Sequence, residues 1–377
     1  MINILYLDNS ATTPILPEVR KKMFTYLNEE YGNPSGKYYD LAINAKNAIE
    51  EARINVASLL NSKDHEIIFT GSATESNNTV LKGVADHYSD RGKHIITSKT
   101  EHPSVLDVCK YLESKGFEIT YLNVDRFGRV DPDQIKNSIT DKTILVSIIW
   151  GNSELGSLND IKTISDICKQ HNILFHTDAT QVAGKLEIDL KKYDGISFLS
   201  CSAHKMYGPK GVGALFVRSD DFGKLIEFTP LLHGGGQENE LRSGTYAVHN
   251  IVGFGEATRI AKNNLSRNYK QLQRLETKFI KILQEKFHEN IVFNSDTNIN
   301  NKIPGIINVR FKGVNNQILL KKLAPVIAAS SGSACSSTKP SHVLQAIGLG
   351  LKEVRESVRF SLSPYIKEKE LEIFQEL

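Results

Sequence analysis

Phe175-His176-Thr177-Asp178-Ala179-Thr180-Gln181 and, a little further on, Ser200-Cys201-Ser202-Ala203-His204-Lys205 are the two stretches that decide the reading of this chain. In the first, an apolar strand runs into a polar turn and ends on a carboxylate. In the second, another strand delivers a lysine. A strand-end aspartate followed by a strand-end lysine is the pair that pyridoxal phosphate requires. The lysine amine condenses with the cofactor aldehyde to an imine, and the aspartate keeps the pyridine nitrogen protonated so that the ring accepts electrons.

Working outward, the same alternation continues on both sides. Residues 144–150 and 173–176 are near-continuous apolar runs, as strands buried on both faces should be. Residues 66–69, 94–97, 196–199 and 212–217 add four more strands. Between them, residues 18–30 and 40–60 have apolar positions at helical spacing, with Asp40 as the expected cap of the second helix. Gly71 to Thr74 leads into a further helix, and Pro103 opens another at its first turn. Strands separated by helices predict a mostly parallel sheet wrapped on both sides.

A long helix over residues 256–287 then breaks the rhythm. After it come strands at 306–311, 326–329 and 357–362 and helices at 317–323 and 341–347. The expected organisation is α/β. Residues 15–255 form a large cofactor-binding domain, and residues 1–14 with 256–377 form a smaller α+β domain.

The 377 residues exceed what a single core usually holds. Their 40% hydrophobic and 24% charged content is that of an ordinary globular protein. The net charge of +3, from 46 basic and 43 acidic residues, gives no general attraction to nucleic acid or to an anionic membrane. No apolar run approaches a membrane span, and the first residues lack the basic and apolar segments of a signal peptide. The four cysteines form no Cys-x-x-Cys pair, so neither a zinc site nor a disulfide framework is expected, and a reducing cytoplasm fits. There is no dinucleotide-binding glycine spacing, no Walker A sequence and no Gly-x-Ser-x-Gly elbow.

Other segments carry chemistry. Thr70-Gly71-Ser72-Ala73-Thr74 is a strand–turn–helix junction whose free N–H groups and hydroxyls suit a phosphate. His102, between a strand and a helix, can stack on an aromatic ring or shuttle a proton. Arg242-Ser243-Gly244-Thr245, after a triple glycine, offers further anion contacts. Cys109, Cys168 and Cys201 lie among apolar neighbours and read as core. Cys335 lies instead in Ser331-Gly332-Ser333-Ala334-Cys335-Ser336-Ser337-Thr338-Lys339-Pro340, a hydroxyl-rich segment in which a thiol can ionise and attack.

Taken together, these segments resemble the cysteine desulfurases, a branch of the class-V aminotransferase group with the fold-type-I architecture of pyridoxal-phosphate enzymes. The resemblance also rests on Tyr6-Leu7-Asp8-Asn9-Ser10-Ala11-Thr12-Thr13-Pro14, Gly32-Asn33-Pro34-Ser35, Thr100-Glu101-His102 and Val358-Arg359-Phe360-Ser361. It implies pyridoxal 5'-phosphate as cofactor and L-cysteine as substrate. Lys205 is then the imine lysine and proton carrier, Asp178 the partner of the pyridine nitrogen and Gln181 a contact to the ring hydroxyl. His102 is the stacking and acid–base group. Ala73, Thr74, Ser202 and His204 are phosphate ligands, and Thr245 reaches the phosphate across a homodimer interface. Asn33 and Arg359 hold the substrate carboxylate. Cys335 takes the sulfur as a persulfide and passes it to an acceptor protein. No resident metal is implied; through a partner, Cys335 is a candidate transient ligand to an iron–sulfur cluster.

Three features depart from the family pattern. Ser153, in Asn152-Ser153-Glu154, stands where relatives carry a second asparagine that touches cofactor and substrate, so imine pKa and cysteine affinity are expected to differ. Only four residues separate Cys335 from Pro340, fewer than in many relatives, and slow basal turnover is expected. The chain stops short of the C-terminal extension with which some relatives dock a scaffold, so iron–sulfur assembly, tRNA thiolation and DNA phosphorothioation all stay open as destinations. Two other readings compete. One is a lyase or aminotransferase acting on another amino acid such as selenocysteine; the other is a non-catalytic sulfur-carrier subunit.

Overall fold

The computed structural model describes residues 4–332 and 340–376. Cys335 lies outside the described residues. The chain begins with a short strand, β1 (Leu5–Tyr6), and two helices, α1 (Pro17–Asn28) and α2 (Asp40–Leu60). Alternation follows through β2 (Ile67–Thr70), α3 (Ala73–His87), β3 (His94–Ser98), α4 (Pro103–Glu113), β4 (Glu118–Leu122), α5 (Pro132–Ser138), β5 (Thr143–Ser147), α6 (Ile161–Gln170), β6 (Leu174–Asp178), β7 (Phe198–Ser202) and β8 (Gly213–Val217). The remainder comprises α7 (Val248–Phe287), β9 (Ile291–Phe293), β10 (Ile306–Phe311), α8 (Asn316–Leu323), β11 (Ile327–Ala328), α9 (His342–Ala346), α10 (Leu351–Val354), β12 (Ser357–Ser361) and α11 (Ile373–Glu376).

Seven strands form one sheet in the order β2-β8-β7-β6-β5-β3-β4. All neighbours are parallel except β8, which runs antiparallel to both β2 and β7. Reversing twice brings β2 back into the direction of the rest. The carboxyl ends of β2, β3, β5, β6 and β7 therefore open on one edge, where ligands of such sheets bind. These strands are fully or almost fully buried, because helices cover both faces, and this is why they read as apolar runs.

A second core lies around the antiparallel strands β12-β10-β9, with β1 pairing in parallel with β11. Leu5 and Leu7 pack there with Phe279, Val309 and Phe360. The forty-residue helix α7 serves both cores. Val248, Ile251 and Phe254 near its start pack on the large sheet, and Leu272, Leu275, Phe279 and Leu283 pack in the second core. We propose the division into two domains in these terms, with α7 spanning it.

Two expectations are corrected. Asp40 is the first residue of α2 rather than its cap; the cap position is Tyr39, which makes no side-chain capping bond. The long helix starts at Val248, not near residue 256, so the expected boundary at 255 falls inside α7. The reason is packing. A Cβ on Gly255 would lie 2.5 Å from Ala52 of α2, so this glycine permits a close helix crossing and does not break the helix. No described helix is long and apolar enough to cross a membrane.

Candidate active site

Each strand ending on the ligand edge delivers part of one cleft of about 1060 Å³, open mouth included. β2 leads to Ala73 and Thr74, β3 to His102, β5 to Ser153, β6 to Asp178 and Gln181, and β7 to Ser202, His204 and Lys205. Arg359 enters from β12 of the second core. The structure thus gathers ten of the thirteen residues singled out in the sequence around one cavity. Asn33 and Thr245 are exposed and do not line it, and Cys335 falls outside the described residues.

Asp178, the last residue of β6, is held from two sides. Asn77 Nδ2 donates to its Oδ2 at 2.9 Å, and the Thr180 N–H donates to its Oδ1 at 3.0 Å. The Lys205 Nζ donates to the carbonyls of Ser10 and Ala11 at 2.5 and 2.6 Å, so the N-terminal segment closes over the lysine. Gln181 Nε2 donates to the same Ser10 carbonyl at 2.9 Å.

His102 caps α4. Its Nδ1 accepts the Ser104 N–H at 3.1 Å, so the neutral ring carries its proton on Nε2. Burial holds its pKa below the usual histidine range, and Lys205 and His342 push in the same direction against Asp178. The His204 ring is likewise driven down, to about 4, by burial and by Lys205, Lys210 and Lys185. Both rings are neutral near pH 7.

At the start of α3, the N–H groups of Ala73 and Thr74 precede any intrahelical acceptor. Gly213 makes the junction possible, since a Cβ there would lie 2.7 Å from the Ser72 backbone and 2.8 Å from the Cys201 carbonyl. The nearby Glu75 is neutralised: Arg242 Nε donates to it at 2.8 Å and the Gly71 N–H at 2.8 Å. Arg242 was expected among the anion contacts; it instead cancels the carboxylate beside them.

Arg359 is 1% exposed. Nη2 donates to Asp8 Oδ1 at 2.7 Å, and Nη1 to the carbonyls of Ser153 and Gly332, each at 3.0 Å. Its Nε is buried with no acceptor among the described residues, as are Ser10 Oγ, Thr180 Oγ1 and Glu101 Oε2 without partners. Buried polar atoms are nearly always paired. Their clustering around one cleft marks where ligand atoms complete the bonding.

Sequence reasoning gave no role to several groups here. Glu101 accepts from Ser98 Oγ at 2.6 Å and from the Ile149 N–H at 2.9 Å, and burial pushes its carboxyl up to about 8, so it is neutral at pH 7. Glu154 is raised by burial too and accepts from Ser341 Oγ at 2.6 Å. His342 Nε2 donates to the Glu101 carbonyl at 2.9 Å. The signal in the sequence was slight: each carboxylate follows an apolar strand, Glu101 three residues after Ser98 and Glu154 seven after Ser147.

The donor set matches pyridoxal phosphate: a lysine amine, a carboxylate on the neighbouring strand, the neutral His102 ring lining the same cleft, and N–H and hydroxyl donors at a helix start without net negative charge. Lys205, Asp178, His102, Gln181, Ala73, Thr74, Ser202 and His204 are the residues that could hold it.

Comparison with known proteins agrees. Residues 5–374 match the family model for class-V aminotransferases. The cysteine desulfurase IscS of Pseudoalteromonas translucida is 41% identical over 377 residues, covering 99% of this chain and 91% of the relative. Among solved structures, a NifS-like protein superposes with a TM-score of 0.91 at 34% identity, over 99% of this chain and 97% of the other. SspA in complex with cysteine superposes with a TM-score of 0.83 at 38% identity, over 96% of this chain and 100% of the other. By family-model match, near-full-length identity and fold, the chain belongs to the class-V aminotransferase family.

Proposed function

We propose that the protein is a pyridoxal-phosphate-dependent cysteine desulfurase. The observation that carries this reading is the convergence of Lys205, Asp178 and Arg359 on one cleft, with a buried guanidinium N–H of Arg359 left for a ligand carboxylate. When bound, the cofactor supplies an electron sink that lets the substrate Cα lose its proton and weakens the Cβ–S bond. Lys205 is the covalent anchor, and its Nζ takes and returns the Cα proton. Asp178 would pair with the pyridine nitrogen, and His102 would stack on the ring. Arg359 fixes the substrate carboxylate, with Asn33 as a second holder. The Cys335 thiolate attacks the substrate sulfur. A new S–S bond forms as the Cβ–S bond breaks, and protonation of the three-carbon unit releases alanine. The persulfide sulfur then passes to an acceptor protein. Two residues, Ser333 and Ala334, separate Cys335 from Gly332 on the cleft wall, at most about 11 Å of chain.

Incubation with ³⁴S-labelled cysteine is expected to add one labelled sulfur to the Cys335 peptide by mass spectrometry, and Cys335→Ser is expected to abolish alanine formation while keeping the cofactor's visible band. A labelled sulfur absent from that peptide, or an unimpaired serine variant, refutes the reading.

The protein is a homodimer in this reading. Tyr31, Tyr38 and Tyr39 are exposed, Tyr38 at 93%, in the same stretch as Asn33, and Thr245 is exposed as well. An apolar surface of this kind calls for a cover, and a second copy would carry Asn33 and Thr245 to a neighbouring cleft. Sedimentation at micromolar concentration is expected to give the mass of two chains; a single-chain mass overturns it. The cytoplasm is the proposed compartment, since Cys109, Cys168 and Cys201 are free, buried thiols.

Ser153 lines the cleft through a side chain shorter than asparagine. Ser153→Asn is expected to shift both the pH midpoint of the visible band and the affinity for cysteine. Unchanged values of both contradict the role given to this position.

A further inference from the structure

Gln181 is 3% exposed, and both faces of its amide are used. Nε2 donates to the Ser10 carbonyl at 2.9 Å, while Oε1 accepts from Lys185 Nζ at 2.8 Å. Residues 179–186 form successive turns, with N–H groups of Val182 and Ala183 bonded to the Ala179 carbonyl and those of Lys185 and Leu186 to the Val182 carbonyl. These turns place residue 185 one helical turn after residue 181. A primary amide is almost symmetric in shape, so its orientation is set by its partners. A carbonyl accepts only, and a lysine amine faces an acceptor. The two contacts therefore fix one orientation.

We propose that Lys185 is a positioning residue that locks the Gln181 amide with Nε2 turned to the cleft, ready to donate to the cofactor ring oxygen. The inference rests on the proposed contact of Gln181 with that oxygen. Lys185 does not line the cleft. It lines a separate inner cavity with Met206, Tyr207, Ala257 and Ala261, in which Lys205 is the other cation and Tyr207 a titratable neighbour. Burial, with Lys205 and Arg359 adding to it, pushes the Lys185 ammonium down to about 7. A neutral amine still has N–H donors, so the lock holds on both sides of neutrality. Without it the amide can turn over and present lone pairs to an electron-rich ring oxygen, which is repulsive.

The holoenzyme with Lys185→Met tests this. The pH midpoint of the cofactor's visible absorbance change is expected to rise by about half a unit or more, because losing a donor to the ring oxygen and losing a nearby positive charge both favour the protonated chromophore. Cofactor affinity by equilibrium dialysis is expected to fall by roughly fivefold, about 1 kcal/mol. Lys185→Arg, which keeps donors, is expected to restore both values. Gln181→Ala is expected to shift the midpoint on its own, and Lys185→Met added to Gln181→Ala is expected to shift it clearly less than Lys185→Met does alone, only the lost charge remaining. An unchanged midpoint in Lys185→Met, or additive shifts in the double variant, overturns the inference while leaving the Gln181 contact standing. An unchanged midpoint in Gln181→Ala refutes that contact, and the role of Lys185 with it. Should Lys185→Met fail to fold, Lys185→Leu in the same cycle with Gln181→Ala gives the same comparison, and additive shifts there overturn the inference equally.

Discussion

Lys205→Ala is expected to lower alanine formation from cysteine by roughly 10³-fold or more, since it removes both the covalent anchor and the base for the Cα proton. The loss should fall on turnover, because the other proposed cofactor contacts, Asp178, His102 and the donors at the start of α3, remain. The fold should survive. Nζ donates to two backbone carbonyls, Ser10 and Ala11, and losing one donor costs about 1–3 kcal/mol for each carbonyl left buried. Lys205→Arg keeps the charge and a donor but supplies no nucleophilic amine, so it is expected to recover stability without activity. Steady-state alanine production and the visible spectrum of both variants check this. An alanine variant with near-normal turnover would remove Lys205 from the chemistry.

The second large effect is at Arg359. Arg359→Gln is expected to reduce kcat/KM for cysteine by roughly 10²-fold, about 3 kcal/mol, mainly through KM, because the proposed charge-assisted contact to the substrate carboxylate is lost. It should also cost stability. The guanidinium holds Asp8 and two carbonyls, from Ser153 and Gly332, at distances of 2.7–3.0 Å. Removing it leaves a carboxylate and two acceptors short of donors in a site where Arg359 itself is buried. Arg359→Lys restores a point charge but not the fork, so partial recovery of KM is expected. Denaturation midpoint and KM measured together separate the two roles. A normal KM with lowered stability would reduce Arg359 to a brace between the N-terminal segment and β12.

These two residues differ in how plainly the sequence announced them. Lys205 and Asp178 follow apolar strands that are buried on both faces, and local pattern is enough to place them at strand ends. Arg359 gained its meaning only from the family resemblance, for its ionic partner Asp8 is 351 positions away. Glu101, Glu154 and Lys185 were invisible for a related reason. Glu101 and Glu154 are buried by tertiary contacts, with Ile149 and Ser341 among the partners, Lys185 is half-buried, and a single sequence gives no sign of which charge will lose its water.

α7 starts eight residues before the expected position and runs through Gly253-Phe254-Gly255. A Cβ at Gly253 would lie 2.7 Å from Met23, and one at Gly255 2.5 Å from Ala52, so the glycines serve helix packing that the local pattern does not register. β4 escaped notice as well. It is the edge strand of the sheet and only its last residue is buried, so it has no apolar run to report.

Every proposed residue role depends on where the cofactor is attached. Borohydride reduction of the holoenzyme, followed by proteolysis and mass spectrometry, reads this directly. A phosphopyridoxyl group is expected on the peptide containing Lys205 and on no other; a group on a different lysine, Lys185 included, or none at all, contradicts it.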